Sequence, residues 1–323
     1  MSADETDPGL WLEAVDGEAA LAWVRERNAE SEHLLRAQPG FEETRRRILE
    51  VLDSREQIPH VTRRGDWLYN FWRDGDHLRG LWRRCTLEEY RRPEPAWETV
   101  LDLDALAAAE GENWVWAGAL AHGPAYRRAL VQLSRGGADA VVVREFDLVE
   151  RRFVDDGFAL PEAKTSLAWA DADTLYVATD FGPGSLTHSG YARLIKRWRR
   201  GTPVAAAPTV FEAEPSDVYA YASVDRTPGH ERTFFVRATD FYNQRLFHLQ
   251  PDGSLREVDK PTDATVAFSG AHALVELRSD WALADRTWPR GSLLVTGDHA
   301  FLAGGRDFTP LRSEEHTSEL QSH

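Results

Sequence analysis

The sequence predicts a mainly β protein, a β-propeller of about five blades preceded by a short helical segment. Short strand-like runs separated by polar turns extend from about residue 66 to about residue 311. The first runs of successive groups begin near residues 67, 114, 167, 218 and 265, and this spacing of about 47–53 residues is typical of propeller blades. The chain also has 12 tryptophans, which often recur once per unit in repeated β architectures. A two-sheet β-sandwich is the alternative.

Residues 1–65 form the predicted helical segment. Apolar residues at helical spacing predict one helix over Glu18 to Arg36 and a second over Phe41 to Leu52, with Pro39-Gly40 between them. The run Leu10-Trp11-Leu12 precedes the first helix, and its apolar side chains need a partner surface.

Residues 66–311 form the predicted propeller portion, in which each group contains three or four strands. A blade cannot bury both of its faces alone, so we expect neighbouring blades to stack around an axis. Polar turns divide the strands; the clearest are Arg73-Asp74-Gly75-Asp76, Gly136-Gly137 and Pro251-Asp252-Gly253.

Residues 312–323 do not continue this pattern. The segment resembles the peptide that results when a sequencing adapter is translated at the end of an assembled contig. We therefore expect a non-native tail without buried contacts and a native reading frame cut near Leu311. A genuine polar tail is the alternative.

Composition excludes several classes of function. The net charge of −15 disfavours binding to nucleic acid and to anionic membranes, because both carry negative charge. A single cysteine, Cys85, excludes an intrachain disulfide and a cysteine-based zinc cluster. No signal peptide and no run of about 18 apolar residues is present, so the expected location is the cytoplasm.

Motifs for catalysis are absent from the sequence. The run closest to the Gly-x-Ser-x-Gly nucleophile elbow is Gly182-Pro183-Gly184-Ser185-Leu186, which lacks the second glycine and is predicted to be a loop. Phosphate-binding, dinucleotide-binding and His-Glu-x-x-His motifs are also missing. We predict no catalytic, cofactor-binding or metal-binding residue in this chain.

The polar clusters that remain are predicted to be structural. Asp74 and Asp76 flank a glycine beside His77, and such aspartates commonly cap their own turn. We interpret Asp155-Asp156-Gly157 and Asp171-Ala172-Asp173 in the same way. The histidines, among them His188, His248 and His272, show no spacing typical of metal ligation. The pairs Arg83-Arg84 and Arg127-Arg128 should each place at least one side chain in solvent, and the basic run Lys196 to Arg200 is predicted to be a solvated strand end.

Several of these runs resemble one known family. The run Asp7-Pro8-Gly9-Leu10-Trp11-Leu12-Glu13 is similar to the opening DPYxWLE signature of the prolyl oligopeptidase family of serine peptidases, and Ala22-Trp23-Val24 with Asn28 continues the likeness. Residues 69–74, 79–84 and 97–104 resemble the first propeller blade of bacterial members. The resemblance extends from about residue 5 to residue 311.

The resemblance implies an N-terminal segment, a seven-bladed propeller and a C-terminal α/β-hydrolase domain with a Ser-Asp-His triad. The propeller admits short peptides and excludes folded proteins, and typical members cleave after proline. This chain stops near the fifth of the seven blades, so the triad and most of the proline pocket lie beyond it. No catalytic residue is carried over, and the proline preference of the parent stays open.

Three functions are consistent with these observations. The first is the N-terminal and substrate-gating portion of a cytoplasmic serine oligopeptidase, inactive alone, whose partners are short peptides and the missing hydrolase domain. The second is a stand-alone propeller that binds a peptide or protein. The third is a propeller glycosidase with paired carboxylates. The N-terminal run Asp7 to Glu13 favours the first, because the other two have no need of it.

Overall fold

The computed structural model describes residues 7–14, 16–54, 56–284 and 286–312. They divide into two compact units. One contains the N-terminal residues up to Pro59 together with Trp72–Leu78, and the other contains His60–Phe71 and the chain from Arg79 onward. The predicted tail, residues 312–323, lies outside the described residues except for Arg312.

The helices of the N-terminal unit have the predicted bounds. A 3-10 helix over Leu10–Glu13 precedes α1 (Glu18–Arg36) and α2 (Phe41–Leu52). Trp11 packs edge-on against Trp23 of α1, with ring centroids 6.4 Å apart. Much of the apolar surface of the two helices is nevertheless open to solvent: Leu34 and Leu35 on α1 and Val51 and Leu52 on α2 are 59–68% exposed.

The second unit contains five antiparallel sheets in chain order, which confirms the predicted fold class. The first sheet contains β1 (Thr62–Arg64), β2 (Trp67–Trp72), β3 (Leu81–Thr86) and β4 (Glu98–Asp102). The second contains β5 (Trp114–Ala121), β6 (Arg128–Arg135), β7 (Val141–Asp147) and β8 (Arg152–Phe153), and β9 (Ala159–Ala163) also pairs with β7. The third contains β10 (Ser166–Asp171), β11 (Thr174–Ala178), β12 (Leu194–Arg199) and β13 (Thr209–Glu212).

The last two sheets repeat this order. The fourth contains β14 (Tyr219–Asp225), β15 (Arg232–Ala238), β16 (Gln244–Leu249) and β17 (Leu255–Glu257). The fifth contains β18 (Thr265–Ser269), β19 (His272–Glu276), β22 (Leu293–Gly297) and β23 (Thr309–Arg312), with a separate hairpin of β20 (Trp281–Ala282) and β21 (Thr287–Trp288) between β19 and β22. Short helices α3 (Leu87–Tyr90), α4 (Leu103–Glu110) and α5 (Asp298–Leu302) fill connections, and a 3-10 helix covers Val204–Ala206.

Two predicted boundaries move slightly. The first sheet begins at Thr62 rather than at residue 66 or 67, because the short polar strand β1 pairs with β2. Its sequence, Thr-Arg-Arg, has no apolar alternation that would reveal a strand. Arg312, which we assigned to the tail, is the last residue of β23 and its guanidinium lies 2.8 Å from the Glu276 carboxylate.

Each pair of neighbouring blades shares its own hydrophobic core. Because side chains alternate across a strand, one strand contributes to two cores. In β6, Ala129 and Val131 face the core shared by blades 1 and 2, whereas Leu130 faces the core shared by blades 2 and 3. In β15, Phe235 faces blade 3 and Phe234 faces blade 5. The described blades are therefore joined by four successive cores.

Aromatic stacks lie within these cores, but they are not one tryptophan per blade. Phe71 of blade 1 stacks on Trp116 of blade 2, with centroids 4.9 Å apart. Blade 4 has no tryptophan; its Phe235 stacks on Phe211 with centroids 5.3 Å apart, and its Phe234 stacks on Phe268 at 5.1 Å. In blade 4, phenylalanine therefore fills the position between two sheets that Trp116 fills in blade 2.

An arginine also crosses each of the four interfaces. Arg84 donates to the Leu148 carbonyl at 2.9 Å, and Arg226 donates to the Trp169 carbonyl at 2.7 Å. Arg200 forms a bidentate salt bridge with Glu145, with N–O distances of 2.7 and 2.9 Å, and Arg232 donates to Asp298 at 3.0 Å. Glu145 is only 1% exposed, so the pair with Arg200 is a buried contact between blades 2 and 3.

We expect Arg200→Ala to lower the free energy of unfolding by about 3 kcal/mol, because it leaves the buried Glu145 carboxylate without its main partner. Arg128 remains 3.7 Å from that carboxylate. We therefore expect a loss of stability at the lower end of the range for removing one partner of a buried ion pair. Urea denaturation measures the change. The matched control is Arg199→Ala, an exposed neighbour, for which the change should stay below about 0.5 kcal/mol. Equal losses in the two variants would contradict this role of Arg200.

We also expect the isolated chain to form oligomers, because the exposed apolar side chains of α1 and α2 can be buried only by association. The double variant Val51→Glu, Leu52→Lys should shift light scattering toward the monomer without lowering the melting temperature. Arg47→Glu, an exposed substitution on the same helix, should leave the oligomers in place. A monodisperse wild-type monomer would refute the expectation.

Candidate functional site

Ser185, the serine whose neighbours most resemble a nucleophile motif, forms hydrogen bonds within its own loop. It lies between β11 and β12 and is 2% exposed. Its hydroxyl accepts a hydrogen bond from the Phe181 amide at 2.8 Å and lies 2.6 Å from the Gly182 carbonyl, to which it donates. A nucleophilic serine needs a base within hydrogen-bond reach and free access to the substrate. The Asp180 carboxylate lies 3.1 Å from the Ser185 hydroxyl, but the buried side chain gives a substrate no access, which agrees with the prediction of a loop.

The Asp74 turn has the predicted structure. The Oδ1 atom of Asp74 accepts from the backbone amides of Asp76 and His77, and Oδ2 accepts from the Trp72 indole at 2.9 Å. Burial opposes ionisation, but these hydrogen bonds outweigh it and lower the pKa of Asp74 to about 2. Both oxygens of the carboxylate are thus held by groups of its own turn.

The basic run Lys196 to Arg200 is less solvated than predicted. Arg197 and Arg199 are exposed, but Trp198 is buried and Arg200 joins blade 3 to Glu145 of blade 2. The Arg200 guanidinium also lies 4.5 Å above the Phe158 ring. The prediction for Arg200 was wrong because its partner lies 55 residues away in the sequence. Similarly, Arg84 is buried, and its neighbour Arg83 is half-buried beside Trp97.

Strand direction divides the propeller loops between two faces. Because consecutive strands are antiparallel, the loops between second and third strands lie at the end where each first strand begins. We name this end the proximal face. The loops between first and second strands and between third and fourth strands lie at the other end, the distal face.

A cavity of about 580 Å³ opens at the proximal face between blades 4 and 5. Strands β14 and β18 line it together with β15 and β16, and its polar groups are contributed by Tyr221, Gln244, Lys260, Asp263 and Arg278. Phe234 and Phe268 form part of its apolar wall. Such a mixture of aromatic surface and a few polar groups is typical of a site for a small ligand or a peptide side chain.

Two aromatic side chains project from the rim of this cavity. Phe241 and Tyr242 lie in the loop between β15 and β16 and are 90% and 68% exposed. Asp240 holds the loop, because its carboxylate accepts hydrogen bonds from the Tyr242 amide at 2.8 Å and from the Asn243 amide at 2.9 Å. The loop is therefore a fixed turn that presents two large apolar rings to solvent, which is typical of a contact surface.

Lys260 lies in the wall of the same cavity. Its ammonium donates to backbone carbonyls, the nearest being those of Ala264 at 2.9 Å and Gln244 at 3.0 Å. Burial lowers the pKa of Lys260 to about 8, although the nearby carboxylates of Asp263 and Glu257 oppose the shift. At neutral pH this group is a partly buried positive charge that ties the connection between blades 4 and 5 to β16.

None of the described helices is long and apolar enough to cross a membrane.

Comparison with known proteins places this architecture in a family. The profile of the prolyl oligopeptidase N-terminal β-propeller domain matches residues 2–278. The chain belongs to the prolyl oligopeptidase family. This confirms the resemblance seen in the N-terminal run and in the first blade.

Three relatives show how much of a prolyl oligopeptidase the chain represents. An uncharacterized peptidase from Sinorhizobium fredii is 38% identical over 319 residues, which cover 96% of this chain and 44% of the relative. An uncharacterized peptidase from Rickettsia prowazekii is 30% identical over 94% of this chain and 44% of its own length. The structure of a post-proline cleaving enzyme from Rickettsia typhi superposes with a TM-score of 0.85 at 28% identity, over 92% of this chain and 46% of that one. The chain therefore spans less than half the length of the relatives it matches.

We expect the free energy of unfolding to rise between about pH 8 and pH 10.5 through Lys260. In this range the unfolded chain still binds a proton that the folded chain has released, so raising the pH favours folding. Urea denaturation at several pH values should show that Lys260→Met removes this component. Lys196→Met, which alters a lysine that contacts the Phe181 ring, should retain it. An unchanged slope in the Lys260 variant would contradict the lowered pKa.

Proposed function

We propose that this chain is the N-terminal and substrate-gating portion of a cytoplasmic serine peptidase that hydrolyses short peptides. The match of the family's N-terminal propeller profile to residues 2–278 carries the proposal. The relatives extend for more than half of their length beyond the matched region, and we assign the catalytic chemistry to that remainder.

The chemistry of acyl transfer supports this division. A serine peptidase needs a nucleophile, a base within hydrogen-bond reach and donors for the oxyanion. The motif that exposes such a serine at a strand-to-helix turn is missing from the sequence, and Ser185 is enclosed by its own loop. In our proposal the serine, the acid and the histidine are supplied by an α/β-hydrolase domain in the parent protein.

The propeller supplies selection by size. Its sheets are packed face to face through shared cores, so the proximal cavity between blades 4 and 5 is bounded by well-packed strands such as β14 and β18. An extended peptide is much narrower than a folded domain of 100 residues, whose radius of gyration is about 13 Å. We assign to the proximal cavity and to Phe241 and Tyr242 a first contact with apolar peptide side chains.

Post-proline cleavage is the substrate preference that we propose for the parent. It rests on the Rickettsia typhi protein, which is described as a post-proline cleaving enzyme and is 28% identical to this chain. The exposed apolar surface of α1 and α2 is the surface that we assign to contact with the rest of the parent protein.

The proposal is tested with a chimera in which residues 1–311 replace the matched region of the Sinorhizobium fredii relative. We expect the chimera to hydrolyse a short chromogenic peptide after proline, and to leave intact a folded protein that contains the same sequence. A fluorophosphonate probe should label one serine, and replacing that serine by alanine should remove both labelling and hydrolysis. A folded, labelled chimera that cleaves no peptide would contradict the proposed activity.

The present chain alone should show neither labelling nor hydrolysis. Loss of nucleophile and base together removes about six orders of magnitude in turnover, which places any residual rate at background. Stoichiometric labelling of one serine within residues 1–311 would instead place a catalytic site in the propeller. Fractionation of cells that produce the tagged chimera tests the cytoplasmic location; recovery outside the cytoplasmic fraction would refute it.

A further inference from the structure

A second cavity, of about 450 Å³, opens at the distal face between blades 4 and 5. His230 enters it from the loop between β14 and β15, and His248 from β16. Asp298 and His299 enter it from the start of α5 in blade 5. The proposed peptidase function uses the opposite face, so it gives no role to this group of side chains.

Three of these residues bring metal-binding atoms close together. The ligand atoms of His230, Asp298 and His299 all lie within 4.8 Å of one another. The Nδ1 atom of His230 is 2.8 Å from Oδ2 of Asp298, and Nε2 of His299 is 4.0 Å from the same oxygen. In a tetrahedral zinc site with bonds of about 2.0–2.1 Å, ligand atoms lie roughly 3.3 Å apart. The His299 side chain is 76% exposed, so its imidazole has room to rotate toward the other two ligand atoms.

The charge balance at the site favours a cation. Arg232 pairs with both Asp225, at 2.9 Å, and Asp298, at 3.0 Å. One guanidinium therefore faces two carboxylates, which leaves one negative charge in a largely buried position.

The donor set fits zinc. Two imidazole nitrogens and one carboxylate oxygen are a common protein ligand set for Zn²⁺, and such a site keeps a fourth position for water or another ligand. The adjoining cavity, which His248 also lines, offers space for this fourth ligand.

We propose that His230, Asp298 and His299 form a zinc site that joins blade 4 to blade 5 at the distal face. On binding, the zinc ion takes the place of the proton on Nδ1 of His230, and the neutral imidazole then carries its one ring proton on Nε2. Arg232 keeps its hydrogen bond to Asp298 through the remaining lone pair of Oδ2. Because ligands from both blades are needed, the ion stabilises the interface between them.

The experiment uses the full chain, freed of metal with a chelator and titrated with zinc chloride against a chromogenic zinc indicator. We expect one zinc ion per chain and a rise in melting temperature with zinc. Cobalt chloride should give the visible absorption of a tetrahedral site with nitrogen and oxygen ligands. His299→Ala should weaken zinc binding by at least the roughly 10- to 100-fold that loss of a ligand's supporting partner costs.

Further variants separate this site from other histidines. His230→Ala should lose zinc binding in the same way, whereas His188→Ala on blade 3 should bind as the wild type does. The double variant His316→Ala, His323→Ala should also bind normally, which excludes the C-terminal histidines. Because His299 is exposed, its variant should keep the zinc-free melting temperature of the wild type. Failure of the wild type to compete with the indicator, or unchanged binding in both His230→Ala and His299→Ala, would overturn the proposal.

Discussion

The architecture depends on one constraint: a four-stranded sheet of this kind has two apolar faces and can bury neither of them by itself. Each face must be covered by the next sheet along the chain. In β15 this requirement is met by two consecutive phenylalanines, Phe234 and Phe235, which enter different cores. The side-chain alternation of a strand thus converts one run of sequence into contacts with two neighbours, and a series of such runs becomes a propeller.

The polar contacts between blades refine this packing. An apolar interface specifies a contact area, but a guanidinium with a distant partner specifies one relative position of two sheets. The pair between Arg200 and Glu145 illustrates this. Its two parallel hydrogen bonds fix the position of Arg200, which follows β12, relative to Glu145 in β7. Arg232 has the same role between blades 4 and 5, with Asp298 as its partner. Burial of these charges is tolerated because each one is paired.

The sequence was sufficient to predict features that follow a local period. It was insufficient to predict contacts between residues that are far apart in the chain. The spacing of apolar residues predicted the bounds of α1 and α2, and the rhythm of strands predicted all five blades. The polar strand β1 and the inserted hairpin of β20 and β21 have no alternation long enough to detect. The buried position of Arg200 and the proximity of His230 to Asp298, 68 residues later, depend on the stacking of blades rather than on local pattern. Turn chemistry was predictable, as Asp74 shows, because its partners lie within three residues.

The succession of shared cores also determines how the chain can assemble. Every core draws on two sheets that are adjacent in the sequence, so each new sheet needs only its predecessor in order to be covered on one side. Loop closure between adjacent sheets is short, and its entropic cost grows only slowly with length. On the ribosome, blade 1 and blade 2 can therefore pack while blade 4 is still being synthesised. An assembly that proceeds in the order of translation leaves only the most recently formed sheet with an uncovered face at its growing end.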